Sequence, residues 1–317
     1  MAIQNVVVAG GGVLGSQIAF QCAYKGFHVT IWLRSEASIG RARPKLERLH
    51  GIYLDTLDAL KPLCGSASPM YPRGMVDGLQ DMTAERLEEL KQQTTAAYEG
   101  LILTTDLKDA VKDADLVIES VAEDPASKKD FYTMLSPLLP EKTILVTNSS
   151  TMLPSSFAQY TGRPEKYLAF HFANEVWKNN TAEVMGHADT DPEACETVAQ
   201  FATQIGMIPL RLKKEQPGYI LNSLLIPFLN AGQALYANGV ADPETIDLTW
   251  KCATGAPAGP FQILDVVGLT TAYNIVIMNP EAKNPETTAG RIAALLKEKI
   301  DAGKTGVNAG EGFYKYN

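Results

Sequence analysis

The N-terminal residues 5–19 constrain the fold of this chain more than any other stretch. A β-branched apolar run ends at Ala9 and leads directly into Gly10, Gly12 and Gly15, spaced G-x-G-x-x-G, and a segment of helical period follows. This order is what a phosphate-binding strand-turn-helix requires. Gly10 would permit the tight turn, Gly12 would let a pyrophosphate approach the backbone, and Gly15 would let the helix pack on the strand. A glycine-rich turn without a ligand needs neither the strand before it nor the helix after it. The pattern therefore predicts a dinucleotide site that includes Val13 and Leu14.

Composition limits the classes of protein to consider. With 317 residues, two domains are more probable than one. A net charge of −8 without a basic stripe argues against nucleic acid or an anionic membrane as partner. The N-terminus lacks a signal-peptide pattern, and no uninterrupted apolar run predicts a membrane span. The cysteines are widely separated, which predicts no metal site and no disulfide framework and fits a reducing cytoplasm; they are Cys22, Cys64, Cys195 and Cys252.

Beyond the first helix, short apolar strands alternate with helical periods, which predicts a parallel sheet. The predicted strands are residues 29–33, 101–104, 115–119, 143–147, 167–171, 182–185 and 207–212. A long helical pattern over 36–63 is interrupted at Pro44 and Gly51, and a Pro-, Gly- and Ser-rich loop insertion occupies about 65–82. From about residue 214 only helical periods remain. The predicted fold class is therefore α/β, a Rossmann-type doubly wound parallel sheet over 1–213 followed by an all-α C-terminal domain over 214–317.

Several ordered blocks then carry a resemblance to a known family. The chain resembles the L-3-hydroxyacyl-CoA dehydrogenase family, and its residues 171–174 and 179–186 are most similar to the bacterial diketoreductase branch. The blocks cover nearly the whole chain outside the loop insertion. They are the glycine turn, Asn148-Ser149-Ser150, His171-Phe172, residues 217–222, Gly259-Pro260-Phe261 with Asp265 and Gly268-Leu269, and the tail 310–316.

The resemblance implies four catalytic residues. His171 matches the catalytic histidine of the family, and an imidazole is a suitable proton carrier near neutral pH. Glu183 matches the carboxylate that orients this imidazole, as in a catalytic triad. Ser150 and Asn222 match the two polar side chains that hold the reacting oxygen. An isolated histidine would more often be structural, but three partners at family spacing favour the catalytic interpretation.

Three further residues are expected on the cofactor side of the sheet. Glu123 and Asn148 follow predicted strands at their carboxyl ends, where ligands of open parallel sheets bind. The resemblance adds Lys128 and implies that Glu123 and Lys128 lie near the nicotinamide and its ribose. Glu123 and Lys128 could each also be a solvated surface charge.

These residues together predict an enzyme that transfers a hydride between a nicotinamide cofactor and a 3-hydroxy or 3-keto acyl substrate. The substrate need not carry CoA, because Asp55 and Asp58 stand where family members that bind CoA offer lysines. One alternative is a hydroxy-acid dehydrogenase of the gulonate or carnitine type. Another is a dinucleotide-binding structural protein without activity, which would not require the four catalytic residues. The apolar helices of the C-terminal domain predict a homodimer through that domain, as the resemblance also implies.

The second strand ends in Leu33-Arg34-Ser35, which bears on the choice of cofactor. A carboxylate at this place usually bonds the ribose hydroxyls of NAD and repels a 2′-phosphate. Leu33 does neither, whereas Arg34 and Ser35 offer a guanidinium and a hydroxyl to a phosphate. The sequence therefore favours NADP(H), with NAD(H) as the alternative if Arg34 is a solvent-exposed residue of no function.

Overall fold

A computed structural model describes residues 2–316, and it divides into two compact units after Ile220. The first unit is a sheet flanked by helices and the second is helical, which confirms the predicted fold class. The division in the structure falls later than the boundary predicted at 213/214.

The first unit contains one eight-stranded sheet. Strands β1 to β6 are parallel in the order β3-β2-β1-β4-β5-β6, after which β7 runs antiparallel to β6 and β8 parallel to β7. The antiparallel β7 is a departure from the purely parallel sheet that the sequence predicts. The strands are β1 Asn5–Ala9, β2 His28–Trp32, β3 Ile102–Thr104, β4 Leu116–Glu119, β5 Ile144–Thr147, β6 Tyr167–Phe172, β7 Thr181–Met185 and β8 Ile208–Arg211.

Six helices flank this sheet, and a side chain caps most of them at the N-terminus. Asp124, for example, caps the helix that begins at Pro125 by accepting from the Ser127 N–H. Residues 64–83, which include the predicted loop insertion, contain neither helix nor strand. The helices are α1 Val13–Tyr24, α2 Glu36–Leu60, α3 Ala84–Glu99, α4 Leu107–Val111, α5 Pro125–Leu135 and α6 Pro192–Gln204.

Helix α2 is continuous through Pro44, so the predicted interruptions at Pro44 and Gly51 are wrong. A proline inside a helix costs about 3 kcal/mol, because it removes a hydrogen bond and crowds the preceding turn. Burial of one leucine side chain contributes about 1.5–3 kcal/mol. The buried face of α2 outweighs the proline because it carries Ile39, Ala42, Leu46, Leu49, Tyr53, Leu57 and Leu60.

The second unit is built from helices and an irregular tail. A single helix predicted over 261–278 is wrong, since Gly268 has φ +92° and separates two helices. Buried Asp265 anchors the tail by accepting from the backbone N–H groups of Phe313 and Tyr314. The helices are α7 Tyr219–Ala237, which begins two residues before the division, α8 Pro243–Thr254, α9 Pro260–Val267, α10 Leu269–Val276 and α11 Thr288–Asp301.

Among the described residues, Tyr219–Ala237 is the one helix long and apolar enough to cross a membrane, with a mean hydropathy of 1.2. Only 17% of the apolar segment is buried. One such helix is a weak indication of a membrane protein, because apolar helices of other proteins pass the same test.

Candidate active site

The pairing of β6 with β7 brings His171 and Glu183 together. The two residues lie directly opposite each other in the antiparallel register, and both side chains are buried. His171 Nδ1 lies 3.0 Å from Glu183 Oε2. Since a carboxylate can only accept, we assign the Nδ1 proton to this bond. This assignment makes Nε2 the ring nitrogen that carries no proton while the imidazole is neutral.

Ser150 occupies the other side of the imidazole. Its Oγ lies 3.1 Å from His171 Nε2, at the end of the segment that follows β5. Three of the four predicted catalytic residues therefore form one hydrogen-bonded chain within the first unit, Ser150–His171–Glu183. Asn222 lies in the first turn of α7 and belongs to the second unit, so its role stays a prediction.

Glu123 holds the segment that carries Ser150. Its Oε1 accepts from the Ser149 hydroxyl at 2.5 Å, from the backbone N–H groups of Ser150 and Thr151 at 3.1 Å each, and from the Thr151 hydroxyl at 2.9 Å. Burial raises the pKa of Glu123, but the Ser149 hydrogen bond and the nearby Lys128 charge outweigh burial and leave this pKa below its usual value. The carboxylate therefore stays ionised near neutral pH and keeps accepting these bonds.

Lys128, predicted to contact the cofactor, is only 1% exposed. Its ammonium group lies 2.7 Å from Glu119 Oε1 and 3.3 Å from Glu123 Oε2. Buried Glu119 also accepts from the hydroxyls of Tyr132 and Thr147. The structure thus places Lys128 behind Glu123, where its one positive charge lies between two carboxylates, and its contact with a cofactor stays a prediction.

Asn148, another predicted cofactor residue, connects two strands. Its Oδ1 accepts from the Phe172 N–H at 3.1 Å, and its own N–H donates to the Glu119 carbonyl at 2.9 Å. The side chain is 8% exposed. Asn148 therefore fixes the end of β5 beside the end of β6, next to Ser150 and His171.

The glycine turn has the shape that a bound pyrophosphate requires. Gly10 has φ +122°, and a Cβ there would lie 2.2 Å from the Ser120 carbonyl oxygen. A Cβ at Gly15 would lie 2.2 Å from the Gly10 carbonyl oxygen, whereas one at Gly12 would meet no atom within 4 Å. Gly12 precedes α1, whose first turn carries no acidic side chain and begins with exposed Val13 and half-buried Leu14. The turn is thus close-packed on the strand side and open on the anion side, so its residues fit a dinucleotide.

A cavity of about 600 Å³ adjoins the glycine turn and is lined by Leu33 and Arg34. Ser35 instead caps α2 by accepting from the Ser38 N–H at 3.3 Å. Sequence reasoning missed three polar residues of α2 that also line this cavity, although their i, i+3, i+7 spacing was a usable signal. They are Ser38, Arg41 and Lys45, of which Lys45 donates to the Gly11 carbonyl and Arg41 to the Ser38 hydroxyl.

Comparisons with known proteins cover the whole chain. Residues 5–57 and 73–216 match the model of the 3-hydroxyacyl-CoA dehydrogenase NAD-binding domain, and residues 218–316 match the model of the C-terminal domain of the same family. A 3-hydroxybutyryl-CoA dehydrogenase of Clostridioides difficile is 35% identical, over 99% of each chain. A solved diketoreductase, described as acting on dicarbonyl compounds, is 48% identical, with a TM-score of 0.83 over 100% of both chains. The solved (S)-3-hydroxybutyryl-CoA dehydrogenase of Ralstonia eutropha is 25% identical, with a TM-score of 0.74 over 100% of both.

Proposed function

The chain belongs to the 3-hydroxyacyl-CoA dehydrogenase family, an oxidoreductase family that acts on CH–OH groups with a nicotinamide dinucleotide, and we propose that Ser150, His171 and Glu183 carry out its proton transfer. The observation that supports this proposal is the unbroken hydrogen-bonded chain from Ser150 Oγ through the imidazole to Glu183. A carboxylate on one ring nitrogen and a hydroxyl on the other is the arrangement of a catalytic triad.

Each residue has a distinct part in the proposed reaction. A nicotinamide dinucleotide held at the glycine turn would supply the hydride chemistry at the carbon that carries the reacting oxygen. His171 Nε2 gives a proton to that oxygen in reduction and takes it back in oxidation. Glu183 stabilises the charged imidazole and fixes its orientation. Ser150 would donate to the reacting oxygen and stabilise negative charge that develops on it, and the family resemblance predicts the same part for Asn222.

The cofactor would be held by two groups of residues. The glycine turn, with Val13 and Leu14, would receive the pyrophosphate at the N-terminus of α1. Glu123, Lys128 and Asn148 would form the nicotinamide side, where the partly exposed Glu123 carboxylate could accept from a ribose hydroxyl and Lys128 would act through Glu123.

We favour NADP(H) over NAD(H) as the cofactor. Leu33 offers no carboxylate to the ribose hydroxyls. The nearby cavity carries the positive charges of Arg34, Arg41 and Lys45, the groups that attract a 2′-phosphate. Asp130 also lines this cavity, so the preference rests on three cationic groups against one carboxylate.

We further propose a 3-keto or 3-hydroxy acyl substrate that need not carry CoA. Asp58 on α2 is paired with Lys61 at 2.8 Å and with Lys91 at 2.9 Å, so its charge is largely compensated. The exposed Asp55 is therefore the stronger obstacle to a CoA phosphate beside this part of α2. The similarity to a diketoreductase supports a small dicarbonyl substrate.

A substrate panel tests this function. Cofactor oxidation at 340 nm would be followed with simple β-keto esters, β-diketones and acetoacetyl-CoA. We expect turnover of the esters, with a kcat/KM for acetoacetyl-CoA no more than about tenfold above theirs, because Asp55 repels a phosphate and the paired Asp58 offers it little net attraction. A kcat/KM for the thioester about 10³-fold higher would contradict the proposal on CoA. Absence of turnover on every compound would contradict the function.

We propose that the protein is a cytoplasmic homodimer whose second unit forms the interface. In this unit large apolar side chains are exposed, which favours a protein partner. Leu224 is 69% and Leu248 60% exposed. Sedimentation at micromolar concentration should give a dimer, and Leu224→Lys with Leu248→Lys should shift it to monomer. A wild-type monomer would contradict the proposal.

A further inference from the structure

Tyr219 has a backbone conformation that calls for an explanation. Its φ is +57°, and among the described residues only one other non-glycine residue, Glu175, has a positive φ. Left-handed backbone is unfavourable for a bulky side chain and persists only where the surrounding contacts hold it. Gly218, directly before it, has φ +77°. Two consecutive left-handed residues thus turn the chain sharply at the start of α7.

The turn brings the tyrosine ring onto the imidazole of His171. The two ring centroids lie 4.3 Å apart and the planes differ by 4°. Hydrogen bonds to Glu183 and Ser150 hold the two ring nitrogens, but hydrogen bonds tolerate a range of angles, so the imidazole can still tilt by a small amount. A flat aromatic face in contact with the ring opposes that tilt. Stacking therefore narrows the orientations that the two hydrogen bonds allow.

The same turn contacts Glu183 and Ser149, the residue directly before Ser150. The Tyr219 hydroxyl donates to the Ser149 carbonyl at 2.7 Å, beside Ser150. The Ile220 N–H donates to Glu183 Oε1 at 2.8 Å, on the oxygen that does not face His171. Burial raises the pKa of Tyr219 well above its usual value, so the hydroxyl keeps its proton and remains a donor.

We infer that Tyr219 is a positioning residue for the proton-transfer unit, whose ring sets the plane of His171 and whose hydroxyl holds the segment that carries Ser150. The inference rests on the proposed role of His171. A purely structural role would be that of a core side chain, since Ala169 and Met185 also pack against Tyr219. The two roles differ in what they do to the rate of the chemical step.

Two substitutions separate the ring from the hydroxyl. Tyr219→Leu removes the flat face and should lower the single-turnover rate of reduction by about 10–100-fold, because small misplacements of a reacting group are costly. Tyr219→Phe keeps the face and should restore most of this rate, leaving a loss of about 3–10-fold for one missing hydrogen bond. KM and the cofactor Kd should stay within about twofold in both, as neither is set by the imidazole.

Tyr53 provides the matched control. It is equally buried in the first unit, donates its hydroxyl to Gln21 Oε1 and packs edge-on against Phe20. Tyr53→Leu should lower the thermal midpoint as Tyr219→Leu does, because each removes a buried ring. Its single-turnover rate should remain at the wild-type value.

A Tyr219→Leu rate within about twofold of wild type, or an equal rate loss in Tyr53→Leu, would overturn the inference. Should Tyr219→Leu fail to fold, Tyr219→Phe decides, since a rate loss of about threefold or more supports the inference and a wild-type rate overturns it. His171→Gln is measured in parallel. If it remains active, the proposed function fails; if it is inactive while the Tyr219 variants keep full rates, only this inference fails.

Discussion

Replacement of His171 by glutamine or alanine is expected to lower kcat by about 10²–10⁴-fold, the contribution of a general acid-base group. The imidazole has no part in holding the glycine turn, so cofactor affinity should stay close to that of the wild type. Ser150→Ala and Asn222→Ala should have smaller effects on kcat. The measurements are steady-state kinetics with an active β-keto substrate and titration of the reduced cofactor by fluorescence.

His187 provides the control for this substitution. It is hydrogen-bonded to the Pro164 carbonyl and lies outside the Ser150–His171–Glu183 chain. His187→Gln should therefore retain near wild-type kcat. If His171→Ala kept wild-type turnover on every active substrate, the catalytic assignment would be wrong.

The second large effect concerns the cofactor. We expect kcat/KM to be higher with NADPH than with NADH. Arg34→Ala should lower kcat/KM for NADPH by about 10–100-fold, because it removes one charge-assisted contact of about 1.5–3 kcal/mol. NADH, which lacks the 2′-phosphate, should be nearly unaffected. Leu33→Asp should shift the preference towards NADH, because the new carboxylate bonds the ribose hydroxyls and repels the phosphate.

Arg43→Ala is the matched control, since Arg43 is exposed on α2 and does not line the cavity. It should leave both cofactors unchanged. A wild-type preference for NADH, or an unaltered response to NADPH in Arg34→Ala, would show that this turn does not bind a 2′-phosphate.

Strongly periodic features of the sequence predicted the fold well. The β-branched run before the glycine turn and the apolar strand 143–147 appear as β1 and β5. Errors arose where tertiary contacts override local preference. Pro44 lies inside α2 because the buried face of that helix outweighs the local cost. Gly268 separates two helices within one continuous pattern of helical period. The period of apolar residues does not reveal that a single residue has a positive φ.

The four catalytic residues were predicted from the family resemblance and not from strand pairing. His171 and Glu183 are adjacent because β6 and β7 pair antiparallel, which the spacing of twelve residues permits but does not require. The burial of Lys128 depends on Glu119, which sequence reasoning did not consider. The stacking of Tyr219 on His171 was not predictable either, because it requires a left-handed backbone that tyrosine seldom adopts.

The central claim is that His171 and Glu183 act as one unit, and a double-mutant cycle tests it most directly. kcat would be measured for wild type, His171→Gln, Glu183→Gln and the double variant. We expect Glu183→Gln alone to lower kcat by about 10²-fold and to cause no further loss once His171 is replaced, because a carboxylate that acts through the imidazole has no effect without it. Losses that multiply in the double variant would contradict the account.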